Sequence, residues 1–387
     1  MEHDADQVHG TVAAGFEGVR EAFAEVLGEQ RQAPEAQLVV HVDGRRVVDL
    51  WGGPGTSADT LTGLYSVTKG AAHLVVALLV QDGVLDLDRT VASYWPEFGA
   101  EGKDRLTLRE LLAHRSGAVG VDGGFTLAEL ADDRLSAARL AGQRPLWEPG
   151  TAYGYHAFVI GALTGEVVRR VTGRSLQELY EERIRAPYGL DFHLGLPKAL
   201  EGRYAEVLPL EPTEEEAERL LADAPAPDSV SGIAFNLNAT PSIDLVTFAN
   251  SPAVRALGPA SSGGVGSARG VAGMYAAAIS EVDGRAPLLT PRTITEFAPV
   301  SRRGTDLVTG NDDVFGLGFE SLSGLYAFLG PETFGHSGAA GSLAFADPAR
   351  GVAYAYTRRR FAFPSGFGAG LENHRLAEAV TRAAKGH

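Results

Sequence analysis

The chain has 387 residues, 44% of them hydrophobic and 21% charged, enough to bury a large core in one composite domain or in several. A formal net charge of −15 repels phosphate backbones, and the lack of cysteine excludes disulfides, thiolate metal sites and cysteine nucleophiles. The opening MEHDADQVHG has no basic-then-apolar secretion signal, and no apolar run reaches the roughly 18 residues of a membrane span. A soluble, cytoplasmic protein that binds neither nucleic acid nor membrane is expected.

Residues 12–27 carry apolar side chains at helical spacing and predict an amphipathic N-terminal helix. Asp43-Gly44 between two apolar runs is a two-residue hairpin signal and predicts strands over 37–42 and 45–51. An apolar helix follows over 67–82, and helical patterns recur over 108–114, 157–171 and 176–185. The acidic stretch 211–228 reads as a solvated helix and loop, and the Pro-, Ser- and Asn-rich stretch 224–238 as a connector. A second hairpin is expected from 342–346 and 352–357, and a C-terminal helix from 371–385. These elements predict an α+β fold. An antiparallel sheet with terminal helices, from residues 1–66 and 240–387, would receive an inserted helical subdomain, residues 67–239, with the active site in the cleft between them.

Three short motifs carry chemistry. Ser66-Val67-Thr68-Lys69 opens the helix over 67–82, which sets a hydroxyl near unpaired backbone N–H groups and the positive end of the helix dipole. Lys69, one turn on, lies on the same face, where its amine can reach the serine oxygen and help remove its proton. Ser-x-x-Lys is common by chance, and an N-cap serine beside a surface lysine explains it equally well. The second motif runs from Trp147 through Pro149-Gly150 to Tyr153 and Tyr155. A phenol beside an ammonium has a lowered pKa and can act as a base, although one of the two tyrosines is expected to be a core aromatic. The third, His336-Ser337-Gly338-Ala339, is a small-residue strand end whose N–H groups can approach a substrate oxygen closely.

In this order the three motifs resemble those of the serine β-lactamase and D,D-peptidase superfamily, with a closer likeness to class C β-lactamases and family VIII carboxylesterases. Gly83 to Asp88, Leu106 to Gly117, Ser262 to Gly270 and Phe315 to Gly318 resemble further family segments, so the likeness spans roughly residues 35 to 360. It implies a β-lactamase/D,D-peptidase-like fold and an acyl-enzyme on Ser66, with Lys69 and Tyr155 handling the proton. In the family the tyrosine stands six residues after the proline, which favours Tyr155 as the base and leaves Tyr153 as the second candidate. The N–H groups of Ser66 and Ala339 would hold the oxyanion, and His336, Ser337, Gly338, Tyr153 and Trp147 would contact substrate.

Two departures favour esters over amides. The family's Tyr-x-Asn reads Tyr155-His156-Ala157, and its Lys-Thr-Gly reads His336-Ser337-Gly338, which exchanges a permanent cation for a mostly neutral imidazole. A carboxylesterase for short-chain or small-molecule esters is the leading expectation. The alternatives are an amide hydrolase (β-lactamase, D-amino-acid peptidase or amide-oligomer hydrolase), an acyltransferase, and a catalytically silent binding or scaffold protein. The ten histidines are scattered, and no Gly-x-Ser-x-Gly elbow, His-Glu-x-x-His motif or phosphate-binding glycine loop occurs. No cofactor and no metal are therefore expected.

Overall fold

The computed structural model describes residues 8–364 and 368–385. Among these, an antiparallel sheet of seven strands runs in the order β1 (Val8–Val12), β3 (Arg45–Gly52), β2 (Ala36–Val42), β10 (Val352–Arg358), β9 (Leu343–Asp347), β8 (Phe334–Ser337) and β7 (Glu320–Ser321). Both ends of the chain supply it, as expected. The β2–β3 turn has φ of 47° at Asp43 and 77° at Gly44, the left-handed pair that a two-residue hairpin requires. The N-terminal helix begins later than its apolar spacing suggested, at Glu17–Glu29. Residues 8–12 are instead an edge strand, with Val12 opposite Val48.

The two faces of the sheet differ in side-chain size. Leu38, Val40, Phe345, Tyr354 and Tyr356 pack under the terminal helices Glu17–Glu29 and Glu372–Ala384. The opposite face presents Val39, Ala344, Ala346, Ala353 and Ala355, and takes the helix Ala268–Ile279, which carries small residues of its own. Small side chains on both partners let that helix sit close to the strands. Ser267 caps it by accepting from the Gly270 N–H.

The central helix Thr68–Gln81 is buried on almost every side, which is why its sequence is apolar all round. Helices Asp133–Ala141 and Ile160–Thr172 pack together beside it. The helical pattern over 176–185 is Leu176–Tyr180 followed by a wider π-turn, Glu181–Arg185. A small three-stranded sheet, β4 (Thr62–Gly63), β6 (Val265–Gly266) and β5 (Phe192–His193), ties the approach to the central helix to the 260s segment. The acidic stretch forms the exposed helix Glu214–Ala222, with a capping box between Thr213 and Glu216. The stretch expected as a connector is more ordered than its composition suggested. It contains the helix Val230–Ala234, and buried Asn236 bonds both the N–H and the C=O of Phe125. No helix among the described residues is long and apolar enough to cross a membrane.

Candidate active site

Ser66 lies on a single 3₁₀ turn, Tyr65–Val67, that feeds the central helix. Tyr65 before it has φ of 48°, a left-handed value unusual for a bulky residue. Its ring packs edge-on against Phe361 and its hydroxyl donates to Leu245 O, contacts that hold this conformation. The turn aims the Ser66 hydroxyl at two partners. Lys69 Nζ lies 3.0 Å and Tyr155 Oη 2.7 Å from Ser66 Oγ.

The lysine is buried with no exposed surface. Its nitrogen also donates to Ala157 O at 2.6 Å and to Ser261 O at 2.8 Å. Burial lowers its pKa to about 7, against a smaller opposing effect of the Glu320 charge. In the neutral amine the two carbonyls take both N–H bonds, which leaves the lone pair directed at Ser66 Oγ. Tyr155 stacks on Phe315 at 5.2 Å, and its backbone N–H donates to Asp306 Oδ1 at 3.2 Å. Burial pushes its hydroxyl well above the usual tyrosine value, the opposite of the lowering expected from an adjacent ammonium. Tyr155 is therefore a neutral O–H donor at rest.

Strand β8 closes the other side. The backbone carbonyl of Leu64 comes so close to Gly338 that a Cβ there would stand 2.7 Å from it, which explains the glycine. Ala339, just beyond, and Ser337 line a cavity of about 140 Å³ with Ser66 and Tyr155. Phe158, Phe235, Leu245, Val314 and Phe315 make most of its wall apolar. Ala157, where the family has an asparagine, is part of that wall.

Other expected contacts are absent from the cavity wall. His336 is fully buried behind it, its Nδ1 2.9 Å from Ser337 O and 3.2 Å from Glu320 Oε1, and burial holds it neutral, well below its ordinary pKa. Tyr153 donates to Gly304 O and packs with Val119 and Val308. Trp147 lies against Gly154 and edge-on to His156. These large or aromatic residues support the wall; the sequence could not tell support from lining, because both require apolar surface.

Four features of the site were not foreseen. Glu320 lines the cavity, and its carboxylate accepts from the Ser337 N–H at 2.8 Å and hydroxyl at 2.7 Å. The Ser262 hydroxyl reaches the same cavity, buried and without a hydrogen-bond partner among the described residues. Asp306 accepts three backbone N–H groups, those of Tyr155, Val308 and Thr309, and so shapes the tyrosine's segment. His156 is held between the Gly154 carbonyl at 2.6 Å and the Ser116 hydroxyl at 2.5 Å, while His114 Nδ1 accepts the His156 N–H at 3.1 Å. The segments Leu106 to Gly117 and Phe315 to Gly318 pointed near these groups, but no local pattern marks a pairing across such distances in sequence.

This fold, with a serine, a lysine and a tyrosine meeting at one oxygen, is that of β-lactamases and penicillin-binding proteins. A family model described as beta-lactamase matches residues 19–378, and the chain belongs to that family. The esterase/beta-lactamase LipL of Mycobacterium tuberculosis is 32% identical over 376 residues, covering 92% of this chain and 84% of LipL. Among solved structures, EstA from Arthrobacter nitroguajacolicus Rue61a matches with a TM-score of 0.88 at 41% identity, over 97% of this chain and 98% of EstA. A family VIII carboxylesterase matches with a TM-score of 0.85 at 34% identity, over 97% and 100% of the two chains.

Proposed function

We propose that this beta-lactamase-family protein is a serine hydrolase that cleaves carboxylic esters of small molecules through an acyl-enzyme on Ser66. The observation that carries the reading is the pair of contacts on Ser66 Oγ, 3.0 Å from Lys69 Nζ and 2.7 Å from Tyr155 Oη, at the foot of an apolar cavity. Neutral Lys69 takes the Ser66 proton as the serine oxygen attacks the ester carbonyl. The backbone N–H groups of Ser66 and Ala339 receive the oxyanion, where one such donor contributes about 3 kcal/mol. Tyr155, a neutral O–H, gives its proton to the departing alkoxide, and the proton held by Lys69 replaces it. Water then hydrolyses the acyl-enzyme by the same route in reverse.

The cavity volume of about 140 Å³ suits one small acyl or aryl group; apolar cavities of about 150 Å³ take up benzene. Amide and β-lactam substrates fit less well. The wall has Ala157 where an amide would grip the acyl-amide, and neutral, buried His336 where a cation would hold a carboxylate. Transfer of the acyl group to an alcohol or amine instead of water uses the same residues.

The deciding experiment mixes the protein with p-nitrophenyl acetate and butyrate and, separately, with a chromogenic cephalosporin, beside Ser66→Ala. Rapid ester turnover, lost in the variant, with slow cephalosporin cleavage is the expected result. Ester turnover that survives Ser66→Ala would sink the assignment of the nucleophile. Efficient cephalosporin turnover would move the substrate class to β-lactams. No turnover of either probe, together with no acyl adduct on Ser66 by intact mass, would mark a silent member of the family.

A further inference from the structure

Glu320 stands at the end of the edge strand β7, opposite Gly335 of β8, and only 5% of its surface is exposed. Its side chain runs two residues along the neighbouring strand to Ser337. There Oε2 accepts the backbone N–H at 2.8 Å and Oε1 accepts the hydroxyl at 2.7 Å. His336 Nδ1, 3.2 Å from Oε1, holds the same side. The carboxylate is thus anchored by neutral donors and has nowhere to swing. Among the described residues lining the cavity it is the only carboxylate, and no Lys, Arg or His lines the cavity with it. Lys69, the nearest cation by its electrostatic effect, has its nitrogen committed to Ser66, Ala157 O and Ser261 O. Above the value of about 7 to which burial raises it, this carboxylate sets a negative charge against a mostly apolar space, where charge–charge effects are far stronger than in water.

We propose that Glu320 is a charge-selecting residue: the site accepts neutral and cationic esters and rejects those that carry a carboxylate close to the scissile bond. This rests on the ester-hydrolase reading above and adds the electrostatic class of its substrate. It also assigns to one named residue a bias that the loss of a family cation explains only by omission. A missing cation makes the site indifferent to a substrate carboxylate; a buried anion makes it hostile.

The test uses three esters of one shape: phenyl acetate, 3-acetoxybenzoate and 3-acetoxy-N,N,N-trimethylanilinium. Release of each phenol is followed by chromatography at pH 8.5, above the value of about 7 to which burial pushes the Glu320 carboxyl. Each kcat/KM is divided by the hydroxide-catalysed rate of the same ester, which removes differences in leaving-group reactivity. The wild-type protein is expected to take the anion at least roughly tenfold less well than the neutral ester, and the cation as well or better. Glu320→Gln is expected to recover most of that anion-to-neutral ratio. Both ratios are internal to one preparation, so partial misfolding of the variant cancels, and the wild-type comparison needs no variant. A wild type that takes the anion as readily as the neutral ester, or a Gln variant that leaves the ratio in place, overturns the proposal while leaving the esterase intact. Phenyl acetate untouched by the wild type, with no adduct on Ser66, removes the esterase reading and this proposal with it.

Discussion

Lys69 and Lys103 are both buried with no exposed surface, in different parts of the molecule. Each gives its ammonium two backbone carbonyls: Ala157 and Ser261 for Lys69, Ala100 and Gln143 for Lys103. Each even sits near an aromatic ring, Tyr155 at 4.9 Å and Phe98 at 5.3 Å. Burial lowers both, and a nearby glutamate opposes the shift in each case, Glu320 or Glu101. The Lys69 nitrogen lies deeper, its carbonyl bonds buried where those of Lys103 are only partly so, and the third neighbours differ outright. Lys69 meets the Ser66 hydroxyl at the foot of a cavity, whereas Lys103 clamps two loops together. Burial and carbonyl capping alone describe a structural lysine. A reactive one needs, in addition, a proton to take and a substrate-sized space beside it.

The sharpest way to break this comparison is to change both lysines to methionine. Lys69→Met, like Ser66→Ala, is expected to lower kcat for p-nitrophenyl butyrate by roughly 10³-fold or more, because the serine keeps its proton or is gone. A Lys69→Met protein that keeps a tenth of the activity would return this residue to the structural class. Tyr155→Phe comes next, with a loss of about 10²- to 10⁴-fold in kcat, read in the same assay.

The pH profile follows. Below about pH 7 Lys69 is protonated and offers no lone pair to Ser66, so kcat/KM should fall about tenfold per unit there and level off above it. Glu320→Gln removes the charge that raises Lys69, so this acid limb should move to lower pH, whereas Lys103→Met should leave it in place. Lys103→Met should cost about 1–3 kcal/mol in urea unfolding, since two carbonyls lose their donor, with kcat unchanged within about twofold. Smallest of all, Tyr153→Phe removes one hydroxyl bond, to Gly304 O, and should cost about 1 kcal/mol while retaining activity. A large loss of kcat in Tyr153→Phe would reverse the assignment between the two tyrosines.

Some of this was readable before any coordinates. The Asp43-Gly44 turn, the second hairpin and the central helix depend on local dihedral preference and on the apolar period, and each was found within a residue or two of its expected bounds. The N-terminal strand was missed because Val8–Val12 is too short to establish an alternating period, and the helical spacing downstream extends into it. The three site motifs were likewise visible: Ser66 and Lys69 are one helical turn apart, and the resemblance to the family's Pro-to-Tyr spacing points to Tyr155. What could not be read was the difference between lining and support. Trp147, Tyr153 and His336 have the composition of a binding wall, yet they stand behind it.

By itself, then, the sequence determined the two hairpins, the central helix that follows Ser66, and the serine, lysine and tyrosine proposed to carry the chemistry. Tertiary structure decided what those residues are worth. The lysine's two carbonyl partners lie 88 and 192 positions away, and the Tyr155 hydroxyl comes from 89 positions away. Glu320 reaches the wall only because β7 pairs with β8. A side chain's pKa, its free lone pair and the charge it feels are set by neighbours within a few ångströms. Local rules reach about one helical turn or one hairpin, and the remaining contacts exist only once the sheet and the helices have closed around the same cavity.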